Sequence, residues 1–294
     1  MASNRPRGFA EWNPQQKSRV LLDQVNQVLE DYRAQLPVTA RQVYYRLVVR
    51  FDFEKTEKAN KRLLEFMNRA RRAGLVPMDS IRDDGAKAVG LGRYDDAQEF
   101  IESTKAFAKV FQLDLQQDQP AYVEVLCEAA GMVPQLNRVA SRYGIPVRSS
   151  GGFDSTTVKH SLGKFYGEMG KPVIVLHVGD LDPSGEHIHR NLNEDVGAFT
   201  SHYGGELTVE RIAVTAEHQQ TYNLPTGVPK KDDAREFPYD FTVQAEALPP
   251  DVLATIVREA IERNIDMDLW NEAVDRQDEL RDQLVEALEG ITVL

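Results

Sequence analysis

Disulfides are the first thing this sequence lacks. Its 294 residues include one cysteine, Cys127, so no intrachain disulfide framework can hold the fold together. Long hydrophobic runs are missing too. None approaches the roughly 20 residues that span a bilayer, and the opening MASNRPRGFAEWNPQQ has no apolar core of a secretory leader. The expectation is a cytoplasmic protein with no membrane contact. Positive charge is also short. Lysine and arginine number 35 against 46 aspartates and glutamates, a formal net charge of −11. Taken over the whole chain, that balance argues against a nucleic-acid partner. Disorder is excluded by 41% hydrophobic residues with 28% charged ones. The length is generous for one domain and comfortable for two.

The positive charge that is present is concentrated. Residues 41–72 hold ten lysines and arginines and four acids, a net +6, which leaves −17 on the rest. Phosphate contacts need a basic surface only where they touch, so this is what a local polyanion site looks like. A solvated, arginine-rich helix face gives the same count.

Helical spacing over 14–35 places Val20, Leu21, Val25, Val28 and Leu29 on one side, and Pro37 ends the run. Thr39 is the expected N-cap of a second helix over 40–51. A third helix over about 56–73 is closed by Gly74. The stretch LVPMDSIRDDG that follows suits a small β wing. Three helices and a wing suggest a winged helix-turn-helix. Its expected DNA contacts are Arg46 and Arg50 on the second helix and Lys58, Lys61, Arg62, Arg69, Arg71 and Arg72 on the third. A linker helix is expected over about 95–112, with the boundary at the polar QQDQP of 116–120. The division is 1–95, 96–118 and 119–294.

Beyond that boundary apolar strands alternate with helices. AYVEVLCE, IPVRSS, PVIVLHVGD and LTVERIAV read as strands of a parallel sheet covered on both faces, making this part α/β. The tail from about 250 reads as helices, with apolar stripes Val252, Ile256, Ala260 and Ile261, then Leu280, Leu284 and Leu288. In open parallel sheets, ligands bind outside the carboxyl ends of strands. Glu128 ends the first strand, and Asp180 and Asp182 follow PVIVLHVGD in GDLDPSGEH. Two acids one residue apart on extended backbone point the same way. Such hard oxygen donors suit Mg²⁺. Cys127 reads as a core thiol. His187 and His189 have no cysteine or third histidine near them in sequence, which argues against zinc. SSGGF at 149–153 reads as a turn and KKDDAR at 230–235 as a solvated loop.

A glutamate ending the first strand, followed by D-x-D-P-x-G after a later one, resembles the Toprim domain of topoisomerases, primases and some nucleases. TARQVYY at 39–45 resembles the R-x-x-Y-Y motif in the winged-helix domain of the DNA topoisomerase VI A subunit and its meiotic double-strand-break relative. Both motifs occur here in that family's order and cover most of residues 20–200. The chain is similar to a reduced, stand-alone A subunit, of phage or bacterial type. One departure is Ala129, where relatives often carry lysine.

The resemblance implies a Rossmann-like Toprim domain after the winged helix. It also implies a tyrosine nucleophile, Mg²⁺ on Glu128, Asp180 and Asp182, and double-stranded DNA as substrate. The product is a tyrosyl-5′-phosphate. A homodimer is implied, in which the tyrosine of one subunit meets the metal of the other. A GHKL-type ATPase B subunit is implied as partner for strand passage, and no ATP site is visible in this chain. On a helix over 40–51, Tyr44, Leu47, Val48 and Phe51 form one apolar stripe, which makes Tyr44 the packing residue. Tyr45 then shares a partly exposed face with Arg41, one turn earlier. The expected nucleophile is Tyr45, with Arg41 stabilising charge beside it. Three rivals are an aspartate-nucleophile phosphatase, a Toprim nuclease using water, and a non-catalytic DNA-binding paralogue.

Overall fold

The computed structural model describes residues 10–82, 94–150, 156–229 and 236–291. The N-terminal part is helical. Helix α1 is Gln16–Asp31, followed by a short 3-10 turn, Arg33–Gln35. Strand β1 is Val38–Thr39, α2 is Ala40–Phe51 and α3 is Glu57–Arg72. Thr39 starts α2 as expected, through a capping box: Gln42 N donates to Thr39 Oγ1 (3.2 Å) and Thr39 N to Gln42 Oε1 (2.9 Å). Gly74, at φ +71°, follows α3 where a left-handed residue is needed. Strand β2, Ile81–Arg82, pairs parallel with β1. The end of the expected wing, 83–85, lies outside the described residues.

Helix α4 is Ala97–Lys109. It leads into the mixed α/β part, whose strands β3 (Tyr122–Cys127), β4 (Val147–Ser149), β5 (Val173–Val178) and β6 (Leu207–Ala213) form one parallel sheet in the order β4-β3-β5-β6. Between them run α5 (Val133–Ala140), α6 (Thr156–Gly167), α7 (Pro183–Asn191) and α8 (Gly197–His202). Helices α9 (Ala216–Tyr222), α10 (Pro250–Asn264) and α11 (Met267–Glu289) follow the sheet. Among the described residues no helix is long and apolar enough to cross a membrane.

Strand alternation sends Val123, Val125 and Cys127 into one core and Leu126 into another on the opposite face. The larger core also contains Val25, Leu47 and Leu63 from the N-terminal helices and Leu253 and Val257 from α10, so packing is continuous across residue 118. The polar QQDQP stretch, where the boundary was expected, is held to its surroundings by its own side chains. Gln116 and Gln119 are buried. Gln119 exchanges bonds with the backbone of Asp266 (2.9 and 2.7 Å), and Gln116 Oε1 accepts from Val123 N (2.6 Å). Side-chain amides here take the place of backbone partners.

Two apolar stripes also differ from expectation. Helix α10 buries Ala260 and Ile261 as expected, but Leu253 and Val257 are buried with them, while Val252 and Ile256 are only partly buried against the same core. On α11 only Gln277 is buried, and Leu284 is exposed. Cys127 is a buried core thiol, and burial pushes its pKa up to about 12.

Candidate active site

The chain runs from β3 outward to β4, then crosses back to β5. The direction of strand order thus reverses between β3 and β5, the point at whose carboxyl ends open parallel sheets bind ligands. Glu128 follows β3 and Asp180 follows β5, so both stand at that point. Asp180 N donates to Glu128 Oε2 (3.0 Å). Asp182 caps α7 through Gly185 N (2.7 Å). Two glycines make room for the glutamate. A β-carbon on Gly179 would sit 3.2 Å from Glu128 Oε2, and one on Gly185 would sit 3.1 Å from it and collide with the Asp180 carbonyl.

The acids repel one another in a poorly hydrated place. Glu128 is raised to about 7, first by burial and then by the charge of Asp180. Asp180 is raised to about 6 by burial and by Asp182, against a hydrogen bond from Ala245 N (2.8 Å). A divalent cation would relieve that repulsion, and hard oxygen donors are the right chemistry for Mg²⁺. Among the described residues, though, no group of three histidines, cysteines or acids stands close enough to hold an ion in this conformation. Each acid has one oxygen engaged by a backbone N–H.

Tyr45 and Arg41 come to the same place from α2. Both tyrosines of the pair are buried, Tyr44 at 5% and Tyr45 at 7% exposure. The expected partly exposed face for Tyr45 is thus corrected. An isolated helix has one buried stripe, but α2 is covered on two sides, by α1 and by the segment after β6. Tyr44 OH donates to the Glu54 (3.3 Å) and Thr56 (3.2 Å) carbonyls. Tyr45 OH donates to Gln244 Oε1. Burial pushes the Tyr45 phenol up to about 12, opposed by Arg41 and reinforced by Glu246 and Asp180. Arg41 remains half-exposed and pairs with the Glu246 carboxylate (3.3 Å).

Residues 244–246 therefore form a bridge. Gln244 holds the phenol, the Ala245 amide holds Asp180, and Glu246 holds Arg41. The bridge is fixed to the acid loop by Val243, which exchanges backbone bonds with Leu181 (2.8 and 2.9 Å). Sequence reading missed these three residues, since Q-A-E matches no motif and lies far from both. It also missed Arg211. That side chain donates to Glu186 (2.7 Å) and to the carbonyls of Asp180 and Gly179, so it props the acid loop. A signal existed: Arg211 lies in a strand next to apolar Ile212 and Ala213, and it pairs in register with His177 on β5. With Arg41 it supplies positive charge near the acids, where Ala129 has none.

Behind the acids lies a histidine pair. His177 is fully buried and stacks on His189 at 5.4 Å, with both of its ring nitrogens lacking partners. Spacing along the chain hid this third histidine, which the fold brings to His189. Burial, then the charge of Arg211, lowers His177 to about 3. His187 is partly exposed.

The basic residues do not form one free surface. Arg46 and Arg50 turn toward Asp31 on α1, Arg46 at 4.0 Å. Lys61 pairs with Glu57 (2.9 Å) and Arg62 with Glu54 (3.3 Å). Arg69 lies over the Trp12 ring (5.4 Å), and Arg72 donates to Asn68 (2.7 Å). Arg71 donates to the Met78 carbonyl (2.7 Å) and holds the turn before β2. Lys58 is exposed. Ser150 N bonds to the Cys127 carbonyl (2.8 Å), while 151–153 and the KKDDAR stretch lie outside the described residues.

Comparison of the chain with protein-family models, with curated proteins and with solved structures found no match.

Proposed function

We propose that this chain cleaves double-stranded DNA by tyrosine transesterification with Mg²⁺, in the manner of a type IIB topoisomerase A subunit. In this reading, residues 1–95 are a winged helix-turn-helix domain, 96–118 a linker helix and 119–294 a Toprim domain with a helical extension. The observation that carries it is the bridge of Gln244, Ala245 and Glu246. It ties a tyrosine and an arginine from α2 to an acid at the switch point of a parallel sheet.

Glu128, Asp180 and Asp182 would hold Mg²⁺, which would supply charge neutralisation at the scissile phosphate and the leaving 3′-oxygen. The chain's own groups do the rest. Arg41, half-exposed, is free enough to meet a phosphate oxygen on the DNA. Tyr45 gives its proton to water, its oxygen bonds to phosphorus as the phosphorus–3′-oxygen bond breaks, and the 3′-oxygen takes a proton from water, giving a 5′-phosphotyrosyl link and a free 3′-hydroxyl. A neutral phenol near 12 is a weak nucleophile, and an amide cannot take its proton. The phenol must therefore leave Gln244 before it reacts. DNA arriving at Arg41 competes with Glu246 and loosens that bridge. The active form is a homodimer in which Tyr45 meets the acids of the other subunit, so the intrachain bridge is the resting arrangement that must open first, and strand passage needs a separate GHKL-type ATPase subunit.

A second reading, a Toprim nuclease in which water attacks, is favoured by the burial of Tyr45. Covalent trapping decides between them. The protein is incubated with supercoiled DNA and Mg²⁺, quenched with denaturant and digested, beside Tyr45→Phe and Tyr44→Phe. An adduct on 5′ ends, lost only in Tyr45→Phe, is the expected result. Cleavage without an adduct, unchanged in Tyr45→Phe, means the nuclease.

A further inference from the structure

A cleft of about 250 Å³ lies between α5, α10 and the 3-10 turn Arg33–Gln35, away from the acids. Its polar lining is Gln35, Gln135, Arg138, Arg142, Thr255 and Arg258 over a floor of small apolar side chains, with no aspartate or glutamate. That is unexpected in a chain with 46 acids and 35 lysines and arginines. Arg138 is on α5, and Arg142 is four residues on in the 3-10 turn Ser141–Tyr143 that follows it; both line the cleft. Arg258 lines it from α10.

These guanidinium groups are not used up by the fold. Arg138 gives one N–H to the Leu36 carbonyl (2.6 Å), which anchors it at the rim. Arg258 pairs along its own helix with Glu262 (3.6 Å) and stands 3.7 Å from Glu259, but these are surface pairs and its side chain remains half-exposed. Arg142 is exposed. Helix α10 begins at the cleft with no side-chain cap, and its N-terminal dipole adds to the positive potential, offset in part by Asp251.

We propose that this cleft binds a phosphate group carrying at least two negative charges: a diphosphate, or the terminal monoester of a nucleotide or DNA end. One arginine fork satisfies a carboxylate or a backbone diester. Three arginines line one cleft, only one of them beside acids of its own helix, and together they suit a group that presents several oxygens and more than one charge. Thr255 and the two glutamines complete the donors. The inference is independent of the cleavage reading.

The test is calorimetric titration of the full chain with inorganic pyrophosphate and with a short blunt duplex, with and without 5′-phosphates. Arg142→Gln and the double variant Arg142→Gln/Arg258→Gln are run alongside. Both side chains are exposed, so melting temperature should stay within a few degrees. Each lost guanidinium should weaken binding about tenfold, and the double variant about a hundredfold. Arg142→Lys, which keeps charge without the fork, should fall between. Weakening for pyrophosphate alone identifies a free phosphate ligand. Weakening only for the 5′-phosphorylated duplex identifies a DNA end. Affinities that change less than twofold in the double variant for every ligand overturn the proposal.

Discussion

Strand β3 and its end carry two glutamates four residues apart, and the chain treats them in opposite ways. Glu124 is fully buried and fully served. Arg148 donates to it twice (2.8 and 3.3 Å), Tyr166 OH once (3.0 Å) and Tyr122 OH once (3.2 Å). Glu128 accepts one backbone N–H and stands beside two like charges, which with burial lift it to about 7. One acid is there for the fold. The other is left short of partners at the end of its strand. A buried charge is costly unless paired and hydrogen-bonded, so the contrast marks Glu128 as a candidate for function.

The largest expected effect comes from breaking the satisfied acid. Glu124→Leu leaves the buried Tyr166 hydroxyl without an acceptor and Arg148 without its partner. Because Arg148 is half-exposed and can turn to water, the loss should be about 3 kcal/mol, measured by chemical denaturation, not the larger cost of an isolated buried charge. Glu128→Gln should do the reverse. An acid whose folded pKa is raised contributes stability that is full below its unfolded value, near 4.5, and is lost as pH rises through about 7. Removing the charge should therefore raise stability by about 1–3 kcal/mol at pH 8 and by nothing at pH 4.5. Mg²⁺ should stabilise the parent protein at pH 8 and have little effect on this variant. Equal losses in the two glutamate variants would erase the contrast between them.

Next in size is the histidine behind the site. His177 is lowered to about 3, so its contribution is full above 6.5 and is lost as pH falls from 6.5 toward 3. His177→Leu should reduce the stability lost between pH 6.5 and 4 by roughly 1–2 kcal/mol, with little change at pH 8. An unaltered acid slope would show that the imidazole is not the titrating group. The smallest effect is at the bridge. Gln244→Leu leaves the Tyr45 phenol without an acceptor and should cost about 1 kcal/mol. In a Tyr45→Phe background the same change should cost almost nothing, and a double-mutant cycle reads that coupling.

Much of the architecture was legible along the chain. Thr39 and Gln42 announce α2 by a local capping box, and continuous apolar runs announce the parallel strands, because both signals come from neighbours in sequence. The acids at 128, 180 and 182 were legible for the same reason, since strand ends follow from strands. Burial of Tyr45 was not. Period-3.6 spacing describes one buried stripe, and nothing in TARQVYY says that a segment two hundred residues later covers the other side. The pairing of Arg46 and Arg50 was equally hidden, because their partner Asp31 lies on another helix, outside the basic segment.

What the sequence determined by itself is the class of structure and the chemical inventory. Its spacing specifies helices first and a parallel α/β sheet after them, and its residue types supply acids at strand ends, a tyrosine and an arginine one turn apart. What only the tertiary structure decided is who meets whom. The reversal of strand order brings Glu128 beside Asp180, and the 244–246 bridge holds Tyr45 and Arg41 to the acid loop. The fold also stacks His177 on His189, and it gathers three arginines in a cleft without an acid. The reason is physical. Backbone periodicity is set by hydrogen bonds a few residues long, whereas side-chain partners and desolvation are set by which distant surfaces the core forces together.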